Sequence, residues 1–119
     1  MKEYRVDIVV EFDANDKAYI DICDAVHSAV KGLCASTTYI AGEGKNKITF
    51  FSLPQKNIYL NKSEEEFSES IAKRIWKANK GYCKVEVYLQ HYPKLPKEKA
   101  IKFNKPKYNK MVSKRSDSV

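Results

Sequence analysis

Glycine is scarce in these 119 residues: there are four, and none stands in the Walker or Rossmann spacing that lets a loop cradle phosphates. Cysteine is odd in number, with no Cys-x-x-Cys pair. Cys23, Cys34 and Cys83 therefore read as reduced thiols packed as small hydrophobes, and no metal site or disulfide framework is expected. No apolar run approaches the ~20 residues that cross a bilayer. Asp7 and Glu11 interrupt the one candidate for a secretory leader, so the expected setting is cytoplasmic, with no membrane partner. Arginine is also rare, three of 22 basic residues. Bidentate reading of base edges favours arginine, whereas lysine meets phosphate as a hydrated point charge. A lysine bias beside many Tyr, Asn and Ile residues also follows from an AT-rich genome.

Apolar residues are present in quantity, 43% of the chain with 12% aromatics, which suffices for the core of one domain. They are patterned from the start. Tyr4, Val6, Ile8, Val10 and Phe12 alternate with Arg5, Asp7 and Glu11, the two-residue period of a strand with one buried face. Asp13 to Asp16 then offer helix caps. Tyr19, Ile22, Cys23, Val26, Ala29, Val30 and Leu33 recur at helical spacing, and Gly32 marks the stop. Strands follow at 36–41 and 48–53, with a further short one near 57–60. Pro54 breaks the chain between them.

Ser63 and Glu66 are spaced as a capping box. It opens a second helix with a stripe of Phe67, Ile71, Ile75 and Ala78, ended by Gly81. From Tyr82 to His91 the chain alternates again, with Cys83, Val85, Val87 and Leu89 inward. The order β-α-β-β-(β)-α-β predicts an α+β fold, a ferredoxin-like β-α-β-β-α-β sandwich with strand one central.

Charge divides the chain. Residues 1–93 carry 13 basic and 13 acidic residues, whereas 94–119 carry nine against two, the whole net charge of +7. The expected organisation is a neutral domain over 1–93 and a basic C-terminal arm over 94–119, extended or disordered, with Pro96 and Pro106 and no helical stripe. Lys94, Lys97, Lys99, Lys102, Lys105, Lys107, Lys110, Lys114 and Arg115 interleave with Phe103 and Tyr108. That mixture suits a phosphate backbone with occasional base stacking, or an acidic protein surface.

Other candidates are explained without chemistry. Asp13 resembles the single aspartate that a class of ferredoxin-like nucleases carries after the first strand, but it also serves as a cap or turn. Cys23 and His27 stand four apart on a helix, the spacing of two metal ligands with no further partner. Asp21, Asp24 and Glu64 to Glu66 lie in N-terminal halves of helices, where the dipole favours them. Tyr82 and Tyr88 project from the last strand, expected at an edge of the sheet. Trp76 points away from its helix's stripe, toward Glu69, Lys73 and Lys80. It is then either an anchor for a partner or covered by the C-terminal segment.

These readings converge on a small non-enzymatic binding protein without cofactors, engaging nucleic acid or a nucleoprotein assembly through the basic arm. The alternative is a phage-type regulator that binds a host protein through Trp76, Lys73 and Lys80 or a sheet edge.

Overall fold

Twelve residues form strand β1 (Lys2–Asp13), and every second one is buried: Tyr4, Val6, Ile8, Val10 and Phe12. The computed structural model describes residues 2–13, 16–40, 44–53, 58–91 and 99–117, with the side chains of 2, 16, 37–40, 91, 99 and 113–117 excepted. Along the chain come α1 (Asp16–Ala29), β2 (Leu33–Ile40), β3 (Lys45–Ser52), β4 (Ile58–Leu60), α2 (Glu64–Asn79), β5 (Lys84–His91), β6 (Lys99–Phe103) and α3 (Lys105–Asp117). The fold is mixed α+β: among the described residues there are six strands, all paired antiparallel, and three helices. The sheet order is β2-β3-β1-β5-β6, with β4 added to the free part of β1. None of the described helices is long and apolar enough to cross a membrane.

β1 is long enough to be shared. Its second half, Asp7 to Asp13, pairs with β3, and its first residues, Lys2 to Tyr4, pair with β4 along the same edge. Where β3 leaves the ladder, the buried Ser52 hydroxyl takes over: it accepts from the Val6 amide at 3.0 Å and donates to the Val6 carbonyl at 3.3 Å. Both backbone groups would otherwise be orphaned inside the core, at a cost of about 1–3 kcal/mol each.

Helix α2 begins as its sequence predicts. Ser63 is extended and accepts from the Glu66 amide at 3.1 Å. Its end differs: the left-handed residue is Lys80 (φ 61°), with Gly81 following, and Asn79 donates to the carbonyls of Gly81 and Tyr82. Its buried surface is also wider than the expected stripe. Ser68, Ala72 and Trp76 form a second row at i, i+4 beside Phe67, Ile71 and Ile75. Trp76, at the end of that row, meets Phe103 of β6 and Tyr108 of α3.

The C-terminal segment is therefore corrected. It is not an extended or disordered arm over the part described: β6 pairs with β5 from Val85↔Phe103 to Leu89↔Lys99, and Ile101 and Phe103 are buried. Asn104 caps α3, its side chain accepting from the Lys107 amide at 3.1 Å. Pro106 falls in the first turn, where a missing amide costs nothing. The expected boundary at residue 93 lies outside the described residues. β5 is likewise no edge strand, since β6 covers it.

Candidate functional site

The residues singled out for partner or nucleic-acid binding turn inward or disperse. Trp76 is only 4% exposed; its indole N–H donates to the Cys83 carbonyl at 2.9 Å. Phe103 and Tyr108 meet its ring edge-on, at 5.9 and 4.8 Å between centroids. It is a core residue closed over by the C-terminal segment, not a partner anchor, although Lys73 and Lys80 beside it are exposed. Phe103 is buried and Tyr108 is wedged between Trp76 and Tyr82, so neither is free to stack on bases. Lys105 and Lys107 lie over the rings of Tyr82 and Phe103, and Lys102 stands 3.9 Å from Glu86. Lys110 is exposed on α3. Lys94 and Lys97 lie outside the described residues, as do the side chains of Lys99, Lys114 and Arg115.

The remaining candidates resolve locally. Asp13 is 85% exposed and pairs with Lys45 at 2.5 Å. His27 packs edge-on against Phe50, and burial raises the Cys23 thiol above its ordinary pKa. Among the described residues no three His, Cys, Asp or Glu side chains converge as a metal site would require. Asp21 and Asp24 face Lys73, Arg74 and Lys77 across a shallow groove between α1 and α2. Opposite charges across an open groove describe a solvated surface.

A better-formed concavity lies where β4 meets the helices. It encloses about 440 Å³, within the range typical of small-molecule sites. Its floor is apolar, with Ala29 and Val30 from the end of α1, Ile58 and Leu60 from β4, and Phe67 and Ile71 from α2. Gly32, left-handed at φ 96°, turns the chain out of α1 close enough that an added Cβ would lie 3.9 Å from Ile58 Cδ1.

The rim is positive. Lys31, Lys62 and Arg74 line it; among the described residues none of them has a carboxylate partner and no acidic residue lines the cleft. Tyr59, 60% exposed, leans over the same space, and its hydroxyl donates to Glu3 at 3.4 Å. Ser70 and Asn61 complete the polar lining. An apolar floor under three unpaired cations can hold an organic anion, the apolar body down and the charge toward the rim.

Beneath the neighbouring turn, Tyr4 donates to Glu64 Oε2 at 2.6 Å. Burial, then the bonded and charged Glu64, push the Tyr4 phenol up to about 12. This contact ties the first turn of α2 to β1.

None of this cleft was singled out from sequence. The only available signals were the short apolar run at 57–60 and the basic residues 31, 62 and 74, which no spacing connects.

No family model and no curated protein matches this chain. Among solved structures it is similar to a phage SAM lyase in the apo state, at 13% identity and a TM-score of 0.42. It is similar also to a phage SAM lyase in complex with S-methyl-5'-thioadenosine, at 15% identity and a TM-score of 0.38. Each alignment covers 85% of this chain and 90% of the other. Both are described as an enzyme, and with that finding the expectation of a non-enzymatic binder is withdrawn. The folded C-terminal segment removes the extended arm, and the buried Trp76 removes the anchor expected on α2. The likeness stops there and assigns no residue of this chain a role.

Proposed function

We propose that this chain binds a small organic anion, a carboxylate or phosphate ester on a flat apolar body, in the cleft beside β4 of a ferredoxin-like core. The core reading is supported by connectivity: α1 and α2 each link strands that lie one apart in the sheet. The ligand reading is carried by a single observation: among the described residues, three cations without a carboxylate partner surround an apolar floor, and no acidic residue lines the cleft.

The probe of choice is 8-anilinonaphthalene-1-sulfonate, whose emission rises on leaving water. Lys62→Ala and Arg74→Ala should each weaken its binding by about tenfold, roughly the worth of one charge-assisted contact. Lys110→Ala should leave it unchanged. If the neutral analogue N-phenyl-1-naphthylamine binds as tightly, or both cleft variants bind like the parent, the proposal fails. Incubation with aryl phosphates and carboxylates, followed by chromatography, reads whether the bound anion is also transformed.

A further inference from the structure

All three helices lie on one side of the sheet, and its other face carries the odd-numbered residues of β1. At its centre is Asp7. Its cross-strand partners are Phe51 on β3 and Tyr88 on β5, and the row runs on to Cys34 and Ala100 at its two ends. Cross-strand partners share a face, so the carboxylate has an aromatic ring on either side. Two strand spacings put those flanking residues about 10 Å apart. A cation seated between them lies within the ~6 Å reach of both ring centroids.

One oxygen of that carboxylate is unsatisfied. Asp7 Oδ1 is inaccessible to solvent and has no hydrogen-bond partner, and no ion pair reaches it among the described residues. The nearby Glu86 differs, since it accepts from the Tyr88 hydroxyl at 3.1 Å and has Lys102 at 3.9 Å. Burial raises the Asp7 pKa, and the exposed Arg5, two residues along the same face, offsets part of that rise. A solvent-inaccessible carboxylate oxygen without a partner is costly, and an arriving positive charge would relieve that cost.

We infer that Asp7, Phe51 and Tyr88 form a site for a small quaternary ammonium cation, with the carboxylate as floor and the two rings as walls. A hard metal ion is excluded by the donor set, one carboxylate between two hydrocarbon rings. A weakly hydrated organic cation matches it: its methyl groups lie on the ring faces and its charge faces Asp7. This site is independent of the anion cleft, which is built from other strands and helices.

The test is titration of the full chain with choline, followed by amide chemical shifts. Shifts should saturate and centre on residues 7, 51 and 88. The uncharged isostere 3,3-dimethylbutan-1-ol should produce none of comparable size. Asp7→Asn, which keeps the shape, should weaken choline by about tenfold or more. Tyr88→Phe, which keeps the ring, should bind nearly as the parent does, whereas Tyr88→Ala should not. Saturation with 8-anilinonaphthalene-1-sulfonate should leave the choline affinity unchanged. Equal binding of the neutral isostere would show an apolar patch and overturn the inference. So would unaltered choline binding by folded Asp7→Asn, or no saturable shift at tens of millimolar choline.

Discussion

Tyr4 and Cys83 sit at opposite ends of the core and share one property: each is held in its neutral form. Burial pushes the Cys83 thiol up to about 12, and burial with Glu64 does the same for the Tyr4 phenol. Burial raises Tyr82 as well. The sign follows from linkage. A folded-state pKa above the unfolded value means that the fold favours the protonated group. Its contribution is full below the unfolded pKa and is lost as pH climbs through the folded one. Stability should therefore decline from about pH 9, where unfolded cysteine begins to ionise, through 10 for tyrosine and on to 12. Denaturant midpoints measured from pH 8 to 11.5 should fall, and Tyr4→Phe should remove the part of that fall that begins near pH 10. A flat midpoint over the interval, or an unchanged slope in the variant, would show that Tyr4 is not buried against Glu64.

At the scale of elements, β6 and α3 decide how the rest is read. Phe103 fills the space between β5 and Trp76. Phe103→Ala should cost about 3–5 kcal/mol and shift the emission of Trp76, the only tryptophan, to the red. A cost under about 0.5 kcal/mol with unchanged emission would show that the segment does not pack there.

Strands β1, β3 and β5 were legible because each alternates over several positions with Val, Ile, Leu or Phe on the inner face. So was α2, whose cap and stripe agree. β2 starts at Leu33, earlier than expected, because Leu33 fits the end of a helical stripe as well as the first inward position of a strand. β6 was not legible. Only Ile101 and Phe103 alternate, among lysines that argue for solvent, and α3 buries little beyond Tyr108 and Met111. Trp76 was expected on the charged face of α2, but it ends the buried row begun by Ser68 and Ala72. What covers it was not legible, because nothing local to α2 names Phe103 and Tyr108 as its neighbours.

For the whole molecule, the net charge of +7 belongs to a segment that is largely part of the fold, so charge alone gives no arm and no polyanion. The functional reading moves to a place where charge and shape coincide. The cleft beside β4 draws on three separate stretches, 29–31, 58–62 and 67–74. No local pattern joins them; only the pairing of Lys2 to Tyr4 with β4 brings them together.

The measurement that tests this placement most directly is amide shift mapping with 8-anilinonaphthalene-1-sulfonate. Perturbations centred on Lys31, Tyr59, Asn61, Lys62, Ser70 and Arg74 are expected, saturating with one affinity. Shifts centred instead on the lysines of 102–110, or spread over all basic surface without saturation, would contradict the cleft and return the positive charge to a general electrostatic role.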